Sequence, residues 1–401
     1  PAAPGSSVAI YFVLEGGLEH YLGERTDPSL IGVRALDERT IEFRLAAPAP
    51  YFMSVMNRPD GGPQPRHAIA ARGDGWTWED QVVSGAFRIE ERTEDRVVLS
   101  RREGNTVRVG DVARVEYVRT PVADAVDPYA ADELDLVTAR YTPRLADLMP
   151  RTLPDQRVGP PGWSGYLAFR HADPVLGDRS LRQALAHAID REALEDVAPP
   201  NMVVATGGIV PPALQGHTPD ISLRYDPDLA RSLLPPDVPP IEVAFWEDDR
   251  PLLAPIVASW RDVLGLTIVE CCWTSDQLPA MPPPVEHAPV YFTGWLPGYA
   301  DPEYFLRLLF HSKSRTNEGG FADDEFDDLI ERARQERSDR GRLELFHDAD
   351  RMAVTQCVAV IPIVYGRSFA AVKPWVRGWW EFGKTSANFA DLEIGPESPR
   401  A

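Results

Sequence analysis

Between Ile241 and Cys272 the hydrophobic period changes twice, and that change constrains the fold more than any other stretch of the chain. Ile241, Val243 and Phe245 alternate at the period of a strand. Ile256, Trp260 and Leu264 then recur every four residues, and Leu266, Ile268 and Cys271 begin a second strand. Gly265 stands between the last two segments, where a helix ends in the left-handed conformation that glycine adopts at least cost. Strand, helix and strand in that order make a βαβ unit, which predicts parallel pairing and an α/β sheet.

The remaining elements fit a mixed α/β architecture of at least two lobes. Ile41, Phe43 and Leu45 alternate over Thr40 to Leu45 before Pro48 and Pro50, and short strands follow at Val97 to Ser100 and Val112 to Val118, so the first third reads as β-rich. From Asp178 the period becomes helical: Leu181, Leu185 and Ile189 recur every four residues, with Ser180 and Gln183 at capping-box spacing. An amphipathic helix of about four turns is predicted there. Two later helices carry Phe326, Leu329, Ile330 and Ala333, and Leu343, Phe346 and Ala353. Val358 to Tyr365 is apolar and β-branched, broken by Pro362, and reads as a strand returning to a sheet. The 39 prolines cluster at Pro199 and Pro200, Pro211 and Pro212, Pro235 to Pro240, and Pro282 to Pro284, where they punctuate elements without forming a repeat.

Charge and hydropathy exclude several classes of function. The chain has 401 residues, 44% of them hydrophobic, which is enough for two or three domains. With 41 Lys and Arg against 61 Asp and Glu the net charge is −20, which opposes binding to nucleic acid and to anionic membrane surfaces. No stretch approaches the roughly 18 to 20 continuous apolar residues of a membrane span. The chain starts at Pro1 without a basic, apolar leader, and its three cysteines, Cys271, Cys272 and Cys357, define no disulfide framework, so the compartment stays open.

A search for catalytic and metal-binding constellations gives weak candidates. Gly162, Trp163, Ser164 and Gly165 resemble a nucleophile elbow, but Tyr166 occupies the place of the second glycine, and a turn is the plainer reading. His187 has no second ligand at metal spacing. The run Asp323, Asp324, Glu325, Asp327 and Asp328 lacks the central glycine of a calcium loop and stands at a helix start, where negative charge complements the dipole. Gly73 and Gly75 open a GxG whose third glycine is replaced by Trp78, so no nucleotide site is expected. No cofactor and no metal site follows. Aromatic residues near turns, namely Trp163, Tyr166, Tyr291, Trp295, Tyr299 and Tyr365, are suited either to a ligand cleft or to core packing.

A resemblance then covers nearly the whole chain. The stretch Tyr166 to Leu194, YLAFRHADPVLGDRSLRQALAHAIDREAL, resembles the signature region of the family 5 extracellular solute-binding proteins. Further similar motifs follow in family order: SGAFRI from Ser84, ELDLV from Glu133, ATGGIVPPALQGH from Ala205, YDPDLARSLL from Tyr225, FTGWLPGYADPEYFLRLLF from Phe292 and IPIVYGRSFAAVKPWVRG from Ile361. The resemblance implies a two-lobed α/β fold of the periplasmic-binding-protein type (type II, cluster C) with an extra small domain and the N-terminal part missing. Residues 1–80 would be the remainder of the small domain, 81–164 and 366–401 lobe I, and 165–365 lobe II.

By the same resemblance the protein would bind a peptide or other small organic solute between the lobes as a monomer. It would deliver that solute to ABC permease subunits outside the cytoplasm, without chemistry. Trp163, Tyr166, Trp295, Pro297, Gly298, Tyr299, Tyr365 and Arg367 would border the ligand. The family normally begins with a longer segment. Peptide-binding members also hold the peptide amine with an Asp at the place that Gly298 takes here, and Asp301 matches a different position, read as a helix N-cap. An ammonium buried without an anion would cost several kcal/mol. Two alternatives stand beside this reading: a ligand-sensing domain of a cytoplasmic regulator fused to a DNA-binding module, and a degenerate hydrolase using Ser164.

Overall fold

In the computed structural model, which describes residues 13–56, 64–73, 82–104, 110–139, 155–274, 288–379 and 389–399, the segment Ile241–Trp246 is a strand that buries Ile241, Val243 and Phe245. The helix Arg250–Leu264 follows and buries Ile256, Trp260 and Leu264 on one side. Gly265 ends it at φ 67, its amide donating to the Arg261 carbonyl at 3.0 Å. Ile268–Trp273 then pairs parallel with the first strand, Ile268 opposite Ile241, which is the βαβ unit the periodicity predicts.

In chain order the strands are β1 (Val33–Ala35), β2 (Ile41–Phe43), β3 (Phe87–Arg92), β4 (Arg96–Arg101), β5 (Arg114–Val118), β6 (Leu136–Ala139) and β7 (Gln156–Phe169). They continue with β8 (Met202–Val204), β9 (Ile241–Trp246), β10 (Ile268–Trp273), β11 (Val290–Trp295), β12 (Val360–Val372), β13 (Val376–Arg377) and β14 (Glu393–Ile394). The chain divides into two compact units, residues 1–61 with 161–366, and residues 62–160 with 367–401.

In the first unit the sheet order is β10, β9, β11, β7, β12, with β8 also paired to β12. Successive residues of β7 face opposite ways. Tyr166 and Ala168 join a core with the helices Glu303–Phe310, Asp324–Gln335 and Asp339–Arg351, whereas Leu167 and Phe169 join a second core with the helices Arg179–His187 and Arg250–Leu264. The sheet is therefore covered by helices on both faces, as a βαβ chain requires. The β1–β2 hairpin belongs to the same unit, and Phe43 and Leu45 pack on the first core. In the second unit β3, β4 and β5 form an antiparallel meander, and β6 pairs with Phe369–Val372 of β12. Its small cores gather Tyr129, Val137 and Phe369, and Val372, Trp375 and Leu392.

Four local expectations need correction. The helix cap is Asp178, whose carboxylate accepts the Ser180 amide at 2.7 Å, and not Ser180. That helix stops at His187 after nine residues, because Asp190 caps a separate helix, Arg191–Glu195, by accepting the Glu192 and Ala193 amides. Ser164 lies inside β7 and not in a turn. Val358 takes φ 44, a left-handed backbone that is costly for a β-branched residue, and the returning strand starts only at Val360. The buried Arg182 holds this bend: Nε donates to the Val358 carbonyl at 2.9 Å and Nη2 to that of Cys357 at 2.8 Å. The acidic run does start a helix, with Asp323 accepting the Glu325 and Phe326 amides. Gly75 and Trp78 lie outside the described residues.

Candidate functional site

The end of β11 and the turn after it carry four of the eight residues expected at the ligand. Antiparallel pairing sets Thr293 opposite Tyr166, Gly294 opposite Gly165 and Trp295 opposite Ser164. The half-buried Trp163 indole lies across both glycines: a Cβ on Gly294 would stand 1.9 Å from its Cζ2, and one on Gly165 2.7 Å from its Cη2. Glycine in the GW motif is thus a packing requirement of Trp163. Trp295 Nε1 donates to the Tyr304 carbonyl at 3.1 Å, its ring 5.7 Å from that of Tyr304. Pro297 and Gly298 are half-buried. Tyr299 is buried, with Tyr51 stacked on it at 4.5 Å and an interplanar angle of 10°.

Beneath this turn lies a group of buried charges that local spacing does not reveal. Arg342 grips Asp301 with two parallel hydrogen bonds, Nη1 to Oδ2 at 2.9 Å and Nη2 to Oδ1 at 2.6 Å. Asp301 Oδ1 also accepts the Glu303 amide at 3.0 Å and is fully engaged, but the N-cap of the helix Glu303–Phe310 is Pro302, so Asp301 stands one residue before the expected cap position. Glu303, 1% exposed, faces Arg307 and Arg334 at 3.6 Å and Arg342 at 3.7 Å. Burial pushes its carboxyl upward, while Arg307 and the Tyr51 hydroxyl favour the charged form.

Tyr365 and Ser164 serve an irregular loop over residues 205–210 that is buried except at Thr206. Five of its carbonyls are met by side chains: Ala205 by Arg191 Nε at 2.9 Å, Gly207 by Ser222 Oγ at 2.9 Å, Gly208 by the Tyr365 hydroxyl at 2.6 Å, Ile209 by Ser164 Oγ at 2.7 Å and Val210 by His217 Nδ1 at 2.6 Å. Buried backbone outside a ladder needs such partners. Asp350 completes the set by accepting the Ile209 amide at 2.9 Å. Ser164 is fully buried and donates its hydroxyl proton to a carbonyl, which leaves it without a base or access to substrate, contrary to a nucleophile's needs.

Tyr166 is 5% exposed within the core, where burial holds its hydroxyl far above the usual phenol range. His187 Nδ1 meets the Arg224 carbonyl at 2.8 Å. Arg367, the last expected site residue, lies on β12 in the second unit, half-buried. Among the described residues no three His, Cys, Asp or Glu side chains are grouped to hold a metal ion, and no helix is long and apolar enough to cross a membrane.

Solved structures share this fold. The murein tripeptide-binding protein MppA of Escherichia coli superposes with TM-score 0.78 at 19% identity, over 96% of this chain and 79% of its own. OppA of Haemophilus influenzae, solved with the peptide RPPGFSPFR, gives TM-score 0.78 at 18% identity, over 98% and 80%. The fold is that of the two-lobed periplasmic binding proteins. The model of the bacterial extracellular solute-binding proteins, family 5, matches residues 3–317, and the chain belongs to that family. Its relatives include the periplasmic oligopeptide-binding protein OppA of Salmonella typhimurium, 26% identical over 87% of this chain and 67% of that protein. The probable deoxycholate-binding periplasmic protein YgiS of Escherichia coli is 25% identical over 88% and 69%.

Proposed function

We propose that the chain binds a peptide or another small organic solute as the substrate-binding component of an ABC importer. On this reading it acts outside the cytoplasm, by binding and not by chemistry. The observation that carries this reading is the family match over residues 3–317, joined to relatives named for oligopeptides, dipeptides and deoxycholate. The engaged hydroxyl of Ser164 speaks against the nucleophile candidate that its motif suggested. The alternative of a sensor domain in a regulator draws no support from these matches.

Within this reading Trp163, Trp295, Pro297, Gly298 and Tyr299 border the ligand from the β11 end, with Tyr166, Tyr365 and Arg367 as further contacts. Residues 1–80 are the remainder of a small extra domain, of which 1–61 belong to the same compact unit as 161–366, and 81–164 with 366–401, and 165–365, are the two lobes. The absence of a carboxylate at position 298 favours ligands that do not depend on a free ammonium. Thermal unfolding of the full chain with a mixed library of tripeptides to pentapeptides and organic solutes tests the proposal. A ligand at about 100 times its dissociation constant adds about 2.7 kcal/mol and raises the midpoint. No shift with any member contradicts it.

A further inference from the structure

Asp350 is fully buried and pairs with no cation among the described residues. Arg351, its neighbour on the helix Asp339–Arg351, is half-exposed and turns to Asp348 at 3.2 Å. Arg191 directs Nε and Nη2 to the Ala205 and Pro362 carbonyls. Of the two Asp350 oxygens, Oδ1 accepts the Ile209 amide at 2.9 Å, while Oδ2 is buried without a hydrogen bond, as is the Thr218 hydroxyl beside it. The other ionisable groups around the carboxyl and its loop are Tyr365 from β12, whose hydroxyl is bonded to Gly208, and His217 and Asp220. A carboxylate withdrawn from water without a cation is far costlier than the neutral acid, whose proton can be given to the Thr218 hydroxyl. Burial accordingly raises the carboxyl to about 7.

The backbone on both sides of this contact is irregular. Residues 205–210 lie outside any helix or strand, and Asp350 is the carboxylate that holds their backbone, through the Ile209 amide. Two residues beyond Asp350 the helix passes into a π-helical turn, Met352–Gln356, where the Cys357 amide donates to the Met352 carbonyl at 2.9 Å, and the bend at Val358 follows. Single π-turns are rare and recur at functional sites.

We infer that Asp350 latches residues 205–210 as the neutral acid and that its ionisation releases them, so that the loop loosens between acid and neutral pH. The latch holds whether or not the chain binds a solute. The closed loop keeps a proton that the open, hydrated carboxyl loses. Its opening equilibrium therefore rises by about fiftyfold from pH 5 to pH 7, and by at most about twofold above that. Hydrogen exchange of the full chain, read by mass spectrometry at pH 5, 6, 7 and 8 and corrected for the intrinsic rate at each pH, is the test. Amides of residues 205–210 should exchange ahead of those in β9, their protection falling by that factor and then levelling. Asp350→Asn should remove the extra slope while His217 and Asp220 stay in place. A loop protection independent of pH in the parent chain, a loop that exchanges only together with β9, or the same slope in Asp350→Asn overturns the latch. The first two outcomes need no variant, so they decide the matter even where Asp350→Asn does not fold.

Discussion

Replacing Asp350 by Asn should make the protein more stable at pH 8 and remove much of the dependence of stability on pH. Asp350 is fully buried: Oδ1 accepts the Ile209 amide, and Oδ2 lies against Gly208, where a Cβ would stand 1.8 Å away. The Thr218 hydroxyl lies beside the carboxylate without closing a hydrogen bond of normal geometry, and the charged or titratable groups around it are Arg351 and Tyr365. Burial dominates and raises the carboxyl from 3.8 to about 7. The folded state then keeps a proton that the unfolded chain has lost, so stability falls as the pH rises from about 4 to about 7 and stays low above it. At about 1.4 kcal/mol per pH unit the ceiling is about 4 kcal/mol. Asparagine keeps the Ile209 bond, offers an N–H to Thr218 and carries no charge. Urea unfolding of both proteins at pH 5, 6, 7 and 8 should show the variant gaining on the parent across this range. Since Asp249 is also raised to about 7 by burial, the difference between the two proteins is the quantity to read. Parallel pH profiles would refute the argument.

Three further outcomes follow from the site. Gly294→Ala should displace the Trp163 indole and lower stability by about 2 to 4 kcal/mol, seen in chemical denaturation together with altered tryptophan fluorescence. Arg342→Met leaves Asp301 and Glu303 buried without their shared cation and should cost about 3 to 5 kcal/mol, with part of the loss recovered in the double variant with Asp301→Asn. Ser164→Ala removes a donor from the Ile209 carbonyl and should cost about 1 to 3 kcal/mol in thermal or urea unfolding, while a ligand identified for the parent still binds.

The parts of the fold legible in the sequence are those whose signal is local and periodic. The βαβ unit around Trp260 and the Asp323 cap are of this kind, because a change of period and a capping residue act over a few positions. The Asp178 and Asp190 caps were harder, since Ser, Asp and their neighbours compete for the same amides over two residues. The bend at Val358 is invisible locally. It is held by Arg182, some 175 positions earlier in the chain, against a propensity that reads as strand. The site divides in the same way. Trp295 and Tyr299 stand out as aromatics beside a turn, whereas Trp163 lies inside β7, and the partners that fix this region, Tyr51 on Tyr299 and Arg342 on Asp301, are distant in sequence. Asp350 meets Ile209 across 141 positions, a contact that no spacing rule contains.

The most direct test of the central claim is native mass spectrometry of the full chain incubated with peptides and organic acids at neutral pH. A solute-binding protein of this family should appear as a one-to-one complex whose bound mass identifies the solute. A chain that stays folded and carries no added mass with any member of the panel would contradict the account.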